Sequence, residues 1–194
     1  MSILNVLKGG GLKSPGSIRH KGKRLSEILE AHHRFVRGDE TGVRADLAGA
    51  DLSRANLQGE SLALVNFAGA DLSGANLREA KLASADLSMA NLHKVDLRKA
   101  DLTEANLSGA DLSEARVGGA ELFRANLRNA NLRRGNFAAA NFRLAEVSGA
   151  DFTGADLQTT ILRETNLEGV DLTGLDLTTT LLPRGFKVPN ATKS

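Results

Sequence analysis

From Ala45 to Leu182 the chain repeats an apolar residue at every fifth position, through 28 consecutive units without an insertion or deletion. The central position, i, is Leu in 22 units, Phe in four (Phe67, Phe137, Phe142, Phe152) and Val in two (Val117, Val147). Position i−2 is Ala in 19 units, and position i−1 is Asp or Asn in 21. A period of five is neither the 3.6 of a helix nor the two of a strand. The backbone therefore turns a corner every five residues. Residues i−2 and i point the same way from a short extended segment, with i−1 pointing oppositely. The pair at i+1 and i+2 makes the corner. Asp and Asn suit i−1 because their side chains bond nearby backbone amides. One unit buries almost nothing, whereas stacked coils bury a continuous column of Leu and Phe. Each such side chain contributes roughly 1.5–3 kcal/mol, which supplies a core in a chain with no Trp, Tyr or Cys.

Seven units depart from Asp or Asn at i−1, and five of them (Ser61, Lys81, Glu121, Ile161, Leu181) share one phase of a 20-residue period. A 15-residue coil scatters the same seven. Four sides are expected.

Typical units are Ala50-Asp51-Leu52-Ser53-Arg54, Ala75-Asn76-Leu77-Arg78-Glu79 and Ala105-Asn106-Leu107-Ser108-Gly109. They resemble the pentapeptide-repeat family, and the resemblance spans residues 45–184. It implies an all-β solenoid, a right-handed quadrilateral β-helix of about seven coils, about 34 Å long at a strand spacing of about 4.8 Å.

A solenoid needs its ends covered. Residues 24–38 read as an amphipathic capping helix, with Leu25, Ile28, Leu29, His32 and Val36 on one face and Gly38 as its stop. A helix of this kind before the repeats also looks like a recurring leader in bacterial members. Residues 1–23, Gly-rich and basic with no acid before Glu27, read as a disordered leader. Residues 185–194 form a C-terminal tail, in which Phe186, Val188 and Pro189 are placed to fold over the last coil or to meet a second subunit.

Charge is unevenly spread. Residues 1–44 carry +5, residues 45–182 carry −6 and residues 183–194 carry +3. The basic leader suits a tether to an anionic surface.

Catalytic and ligand-binding chemistry finds little support. Gly9-Gly10-Gly11-Leu12-Lys13-Ser14 fails phosphate-loop spacing. His32 and His33 are adjacent on a helix and do not face one metal ion. No serine or threonine has a base and an orienting partner visible in the sequence. No enzyme, cofactor or metal is expected. No segment is long enough to span a membrane, and the absence of cysteine points to a cytoplasmic setting.

What remains is surface. The irregular phase gathers outward apolar residues on its last four coils: Phe123, Leu144, Ile161 and Leu181. An apolar cluster of this kind marks an interaction site, and the expected occupant is an unknown protein partner or a second copy bound through the C-terminal coils. Many members of the resembled family dimerise there. Arg116, Arg124, Arg128, Arg133, Arg134 and Arg143 fall on all four sides as a solvated belt, with no nucleic-acid groove. The resemblance also implies an alternative, mimicry of DNA toward DNA gyrase. Duplex DNA of this length carries roughly 20 charges at one per about 1.7 Å, against a net −6 here.

Overall fold

A computed structural model describes residues 11–187. Its body is a stack with a 20-residue period. Parallel bridges join Asp46 to Asn66, Asp51 to Asp71, Asn56 to Asn76 and Ser61 to Lys81, and each column continues by twenties toward the C-terminus. Four faces result, named by these starting residues as the first to the fourth.

Within a unit, the carbonyl at i accepts the N–H of i+3, as in Ala50 to Leu47 (3.1 Å) and Ala55 to Leu52 (2.9 Å). This closes a β-turn at each corner. The residue at i+2 takes a positive φ, 60° at Arg54 and 67° at Leu64. A non-glycine residue there costs on the order of 1 kcal/mol, and the ladder holds it in place. Between coils, the Leu47 N–H donates to the Asn66 carbonyl (2.7 Å), Gly49 to Ala68 (2.9 Å) and Asn66 back to Ala45 (3.2 Å). Inside, the central residues and their i−2 alanines form one continuous buried core.

Position i−1 serves both directions of bonding. Its Oδ1 accepts the N–H two residues on, as from Ser53 to Asp51 (3.0 Å). Its side chain also reaches the neighbouring coil where an amide meets an acceptor: Asn66 Nδ2 donates to Asp46 (2.9 Å), Asn91 to Asp71 (3.0 Å) and Asn131 to Asp111 (2.9 Å). Alternation of Asn with Asp puts a donor beside a carboxylate and separates like charges.

The N-terminal region departs from the disordered leader expected over 1–23. Residues 1–10 lie outside the described residues, but 11–23 carry structure. Pro15–Ser17 is a 3₁₀ turn, β1 (Arg19–His20) pairs antiparallel with β2 (Lys23–Arg24), and Ile18 is buried. Lys13 donates its N–H to Arg54 (2.7 Å) and accepts from Asn56 (2.9 Å), standing where a preceding coil would pair. Its ammonium also donates to the Ser53 hydroxyl (3.0 Å) and lies 3.8 Å from Asp51, but the ladder bonds themselves are main-chain, so composition does not announce them.

Helix α1 spans Leu25–Val36; the Glu27 carboxylate accepts the Arg24 N–H (3.2 Å) at its start, and Gly38, at φ 77°, donates to Phe35 (2.9 Å) at its end. Leu25 and Leu29 are buried in the same core as Leu47, with Ile28 partly buried against it, and His32 is also buried. Val36, expected on the same apolar face, is 43% exposed instead. It is the last residue of α1, where the chain turns away toward Gly38. At the other end the ladder thins. Among the described residues Asp171 and Asp176 form no bridge, while Glu146–Asn166 and Ile161–Leu181 do. Phe186 packs partly buried against the core; Val188 and Pro189 lie outside the described residues.

Candidate functional site

On the fourth face, Asn141 bridges Ile161 and Ile161 bridges Leu181, which places the two apolar side chains on consecutive coils of one flat wall. Ile161 is half-buried, Leu181 40% exposed. The corner beside this wall carries two stacked columns. Position i+1 supplies Phe123, Arg143, Arg163 and Pro183, and position i+2 supplies Arg124, Leu144, Glu164 and Arg184. Leu144 is 40% exposed and Phe123 half-buried. The Arg124 guanidinium carbon lies 5.0 Å from the centre of the Phe123 ring, a cation–π contact. All four candidate residues therefore fall on one wall and its corner, interleaved with arginines.

Charges here are partly matched. Arg143 pairs with Glu164 (3.0 Å) and Arg124 with Glu104 (3.7 Å). Arg163 and Arg184 are exposed and have no acidic partner among the described residues. Of the other belt arginines, Arg128 meets Glu146 (2.7 Å), Arg133 meets Asp151 (2.9 Å) and Arg116 lies 3.9 Å from Asp96. Burial pushes the Asp96 carboxyl up, but hydrogen bonds and charge from Arg98, with charge from Arg116, outweigh it and hold it below the usual range. The Ser53 and Thr153 hydroxyls and N–H groups likewise hold Asp51 and Asp151 low.

Three units of this face depart from Ala at i−2. Thr160 and Thr180, at i−2, point inward and are buried. Their hydroxyls donate to the carbonyls of Phe137 (2.9 Å) and Leu157 (2.8 Å), 23 residues earlier, and Thr165 does the same to Phe142 (2.6 Å). The Thr-Thr-Ile-Leu and Thr-Thr-Leu-Leu segments twenty residues apart were the signal available in the sequence. The third i−2 departure, Glu60, belongs to the other end, where its carboxylate lies 3.0 Å from His33 Nε2 of α1.

His32 is fully buried, and its Nδ1 accepts the N–H of Ala45 (3.2 Å). In later units that N–H bonds the turn carbonyl three residues back, so the ring replaces the acceptor that the first unit lacks. Burial, then the charges of His33 and Arg44, lower the His32 pKa. A cleft of about 260 Å³ beside α1 is lined in part by His20, Ile28, Val43 and the Lys21–Asp46 ion pair (2.7 Å). Stacking also brings His93 Nδ1 to 2.9 Å from Ser113 Oγ, a contact the sequence reading missed. Twenty residues of separation hid it. Among the described residues no cluster of three or more His, Asp or Glu side chains is placed to hold a metal ion, and no helix is long and apolar enough to cross a membrane.

The sequence profile of the pentapeptide repeats matches residues 45–182 in eight copies. HetL, a pentapeptide-repeat protein involved in heterocyst differentiation regulation in the cyanobacterium Nostoc sp., is 31% identical; the match covers 73% of this chain and 86% of HetL, with a TM-score of 0.50. A pentapeptide-repeat protein of the Arabidopsis thaliana thylakoid lumen is 31% identical over 53% of this chain and 68% of its own, with a TM-score of 0.36. QnrB1, a plasmid-mediated fluoroquinolone resistance protein, is 19% identical over 68% of this chain and 91% of its own, with a TM-score of 0.33. No curated protein sequence gives a match. The unbroken five-residue period, the bridges at twenty-residue spacing and the profile match lead to one statement: the chain belongs to the pentapeptide-repeat family, whose fold is a right-handed β-helix solenoid.

Proposed function

We propose that this protein is a non-enzymatic scaffold of seven coils, capped by α1, that works in the cytoplasm by binding another protein through its fourth face. The observation that carries the reading is that Leu144, Ile161 and Leu181 stand together on one wall and its corner, while the other strongly exposed apolar residues of the repeat body, Leu64 and Met89, lie on coils nearer the N-terminus. Exposed clusters of this kind mark interaction sites. HetL's involvement in a regulatory process accords with such a role. A second copy of the chain is the other occupant for this face. Mimicry of DNA toward gyrase is the weaker alternative, since arginines interrupt the negative surface that a mimic needs; unchanged gyrase supercoiling in the presence of the protein rejects it. The scaffold reading is tested with the Ile161→Asp, Leu181→Asp double variant. Binding of the physiological partner, or self-association in sedimentation, is expected to disappear while circular dichroism stays unchanged. Retention of every association by the folded double variant sinks the proposal.

A further inference from the structure

The corner beside Ile161 and Leu181 reverses the net charge of the repeat body. The repeat body carries six more acidic than basic residues, yet here Arg124, Arg143, Arg163 and Arg184 occupy four successive coils as a staggered row, Arg143 and Arg163 at i+1 and Arg124 and Arg184 at the adjoining i+2. Consecutive coils lie about 4.8 Å apart, so the row extends over about 14 Å, the length of about four extended residues. Arg163 and Arg184 pair with no carboxylate among the described residues, and both line an open cleft with Leu182, Pro183 and Glu164, whose charge is matched by Arg143. The ion pairs of Arg124 and Arg143 are more than two-fifths exposed on both sides. Exposed pairs are worth little, so exchanging Glu104 or Glu164 for a partner's carboxylate costs little.

Resting on the reading of the fourth face as a binding surface, we propose that its partner is an extended acidic segment of another protein. Its carboxylates meet the arginine row, and its alternate apolar side chains cover Ile161, Leu181 and Leu144. Side chains of an extended segment alternate between two directions, which matches an apolar wall bordered by a charged corner. Nucleic acid shares the negative charge but suits the wall less well. Ile161, Leu181 and Leu144 offer aliphatic surface where bases need flat rings, and Arg124 already lies over the Phe123 ring. A second copy fits less well too. Side-by-side antiparallel pairing on this face sets one arginine row against the other. Pairing the row with an acidic face instead is heterologous and leads to open filaments.

The test selects from a random twelve-residue peptide display library on the full-length chain, with counter-selection on Ile161→Asp, Leu181→Asp. Enriched peptides are then titrated by fluorescence anisotropy against wild type and Arg163→Glu, Arg184→Glu. The expected result is a clear excess of Asp and Glu over Lys and Arg in the enriched set. Binding is expected to weaken at least about tenfold on the charge-reversed variant and to fall with added salt. Neutral or basic peptides that ignore the arginine variant but need Ile161 and Leu181 overturn the acidic partner and leave the scaffold reading standing. No enrichment over the Ile161, Leu181 variant overturns both. A wild-type dimer split by that variant assigns the face to a second copy. A twelve-nucleotide single strand that outbinds every peptide, in an arginine-dependent way, assigns it to nucleic acid. Either of these last results ends the proposal.

Discussion

The hydroxyl of Thr160 donates to the carbonyl of Phe137 at 2.9 Å, across one coil and 23 residues of chain. Thr160 occupies a position that is Ala in most units, so the bond is an addition to the repeat and not part of it. The Phe137 carbonyl also accepts the Ala140 N–H (2.9 Å), so removal of the hydroxyl leaves no orphaned acceptor. Thr160→Val is therefore expected to cost about 1 kcal/mol, the net worth of one hydrogen bond. The urea midpoint reports it. An unchanged midpoint means that the hydroxyl contributes nothing beyond its volume.

A second expectation concerns the place where Ala gives way to Gly. Phe137, Phe142 and Phe152 pack as a cluster with ring centres 5.7–6.4 Å apart. Gly135 stands at i−2 beside Phe137, and a Cβ there would meet ring atom Cε2 at 2.5 Å. Gly135→Ala restores the usual residue of the repeat, yet it is expected to destabilise by about 1–3 kcal/mol through overpacking. Phe137→Leu alone costs about 1–3 kcal/mol of buried contact, and in combination with Gly135→Ala the losses are expected to be less than additive. A double-mutant cycle on unfolding midpoints measures that coupling. Strict additivity contradicts the packing argument.

The repeat was legible because its register is written at every fifth residue, and the four sides because Ser61, Lys81, Glu121, Ile161 and Leu181 recur by twenties. The candidate wall was legible for the same reason, since stacking follows from arithmetic once the period is known. Other features carry no such signature. The inward direction of i−2 places Thr160 and Thr180 inside, but not the carbonyl each hydroxyl meets, 23 residues earlier in the chain. Lys13 pairs with the stack through its N–H and carbonyl, which any residue but proline supplies, and its ammonium adds a bond to Ser53 that only the pairing brings within reach. Which acid each arginine meets depends on long side chains choosing between neighbours, and Arg143 takes Glu164 where Arg128 takes Glu146.

His32 makes stability depend on pH. Its folded pKa lies below its ordinary 6.5, chiefly through burial, so the unfolded chain binds more protons between the two values. Stability then rises with pH through that window. The contribution is complete above about 6.5 and is lost as pH falls from there toward the folded pKa. His32→Gln keeps a side-chain acceptor for the Ala45 N–H but does not titrate. The wild-type midpoint is expected to drop between about pH 7 and about pH 5, with the variant flatter over that interval. Parallel profiles assign the slope to another group.

The Asp and Asn columns yield the last expectation. On the second face Asp71, Asn91 and Asp111 lie on consecutive coils, joined through Asp71–Asn91 and Asn91–Asp111 bridges. Asn91 performs two tasks: its Oδ1 accepts the His93 N–H (3.2 Å) and its Nδ2 donates to Asp71 (3.0 Å). Asn91→Asp preserves the first and abolishes the second. It also places a third carboxylate between two others about 4.8 Å away. Like charges directly opposite one another on paired strands destabilise by roughly 0.2–1 kcal/mol, and screening by salt reduces the effect. The variant is expected to unfold at a lower urea midpoint than wild type, with the gap narrowing from low to high ionic strength. Asn91→Ser, which removes the donation to Asp71 without adding charge, is expected to show a smaller, salt-independent loss. Equal salt dependence in the two variants would mean that Asn alternates with Asp for the turn bond alone, and that charge separation plays no part in ordering the columns.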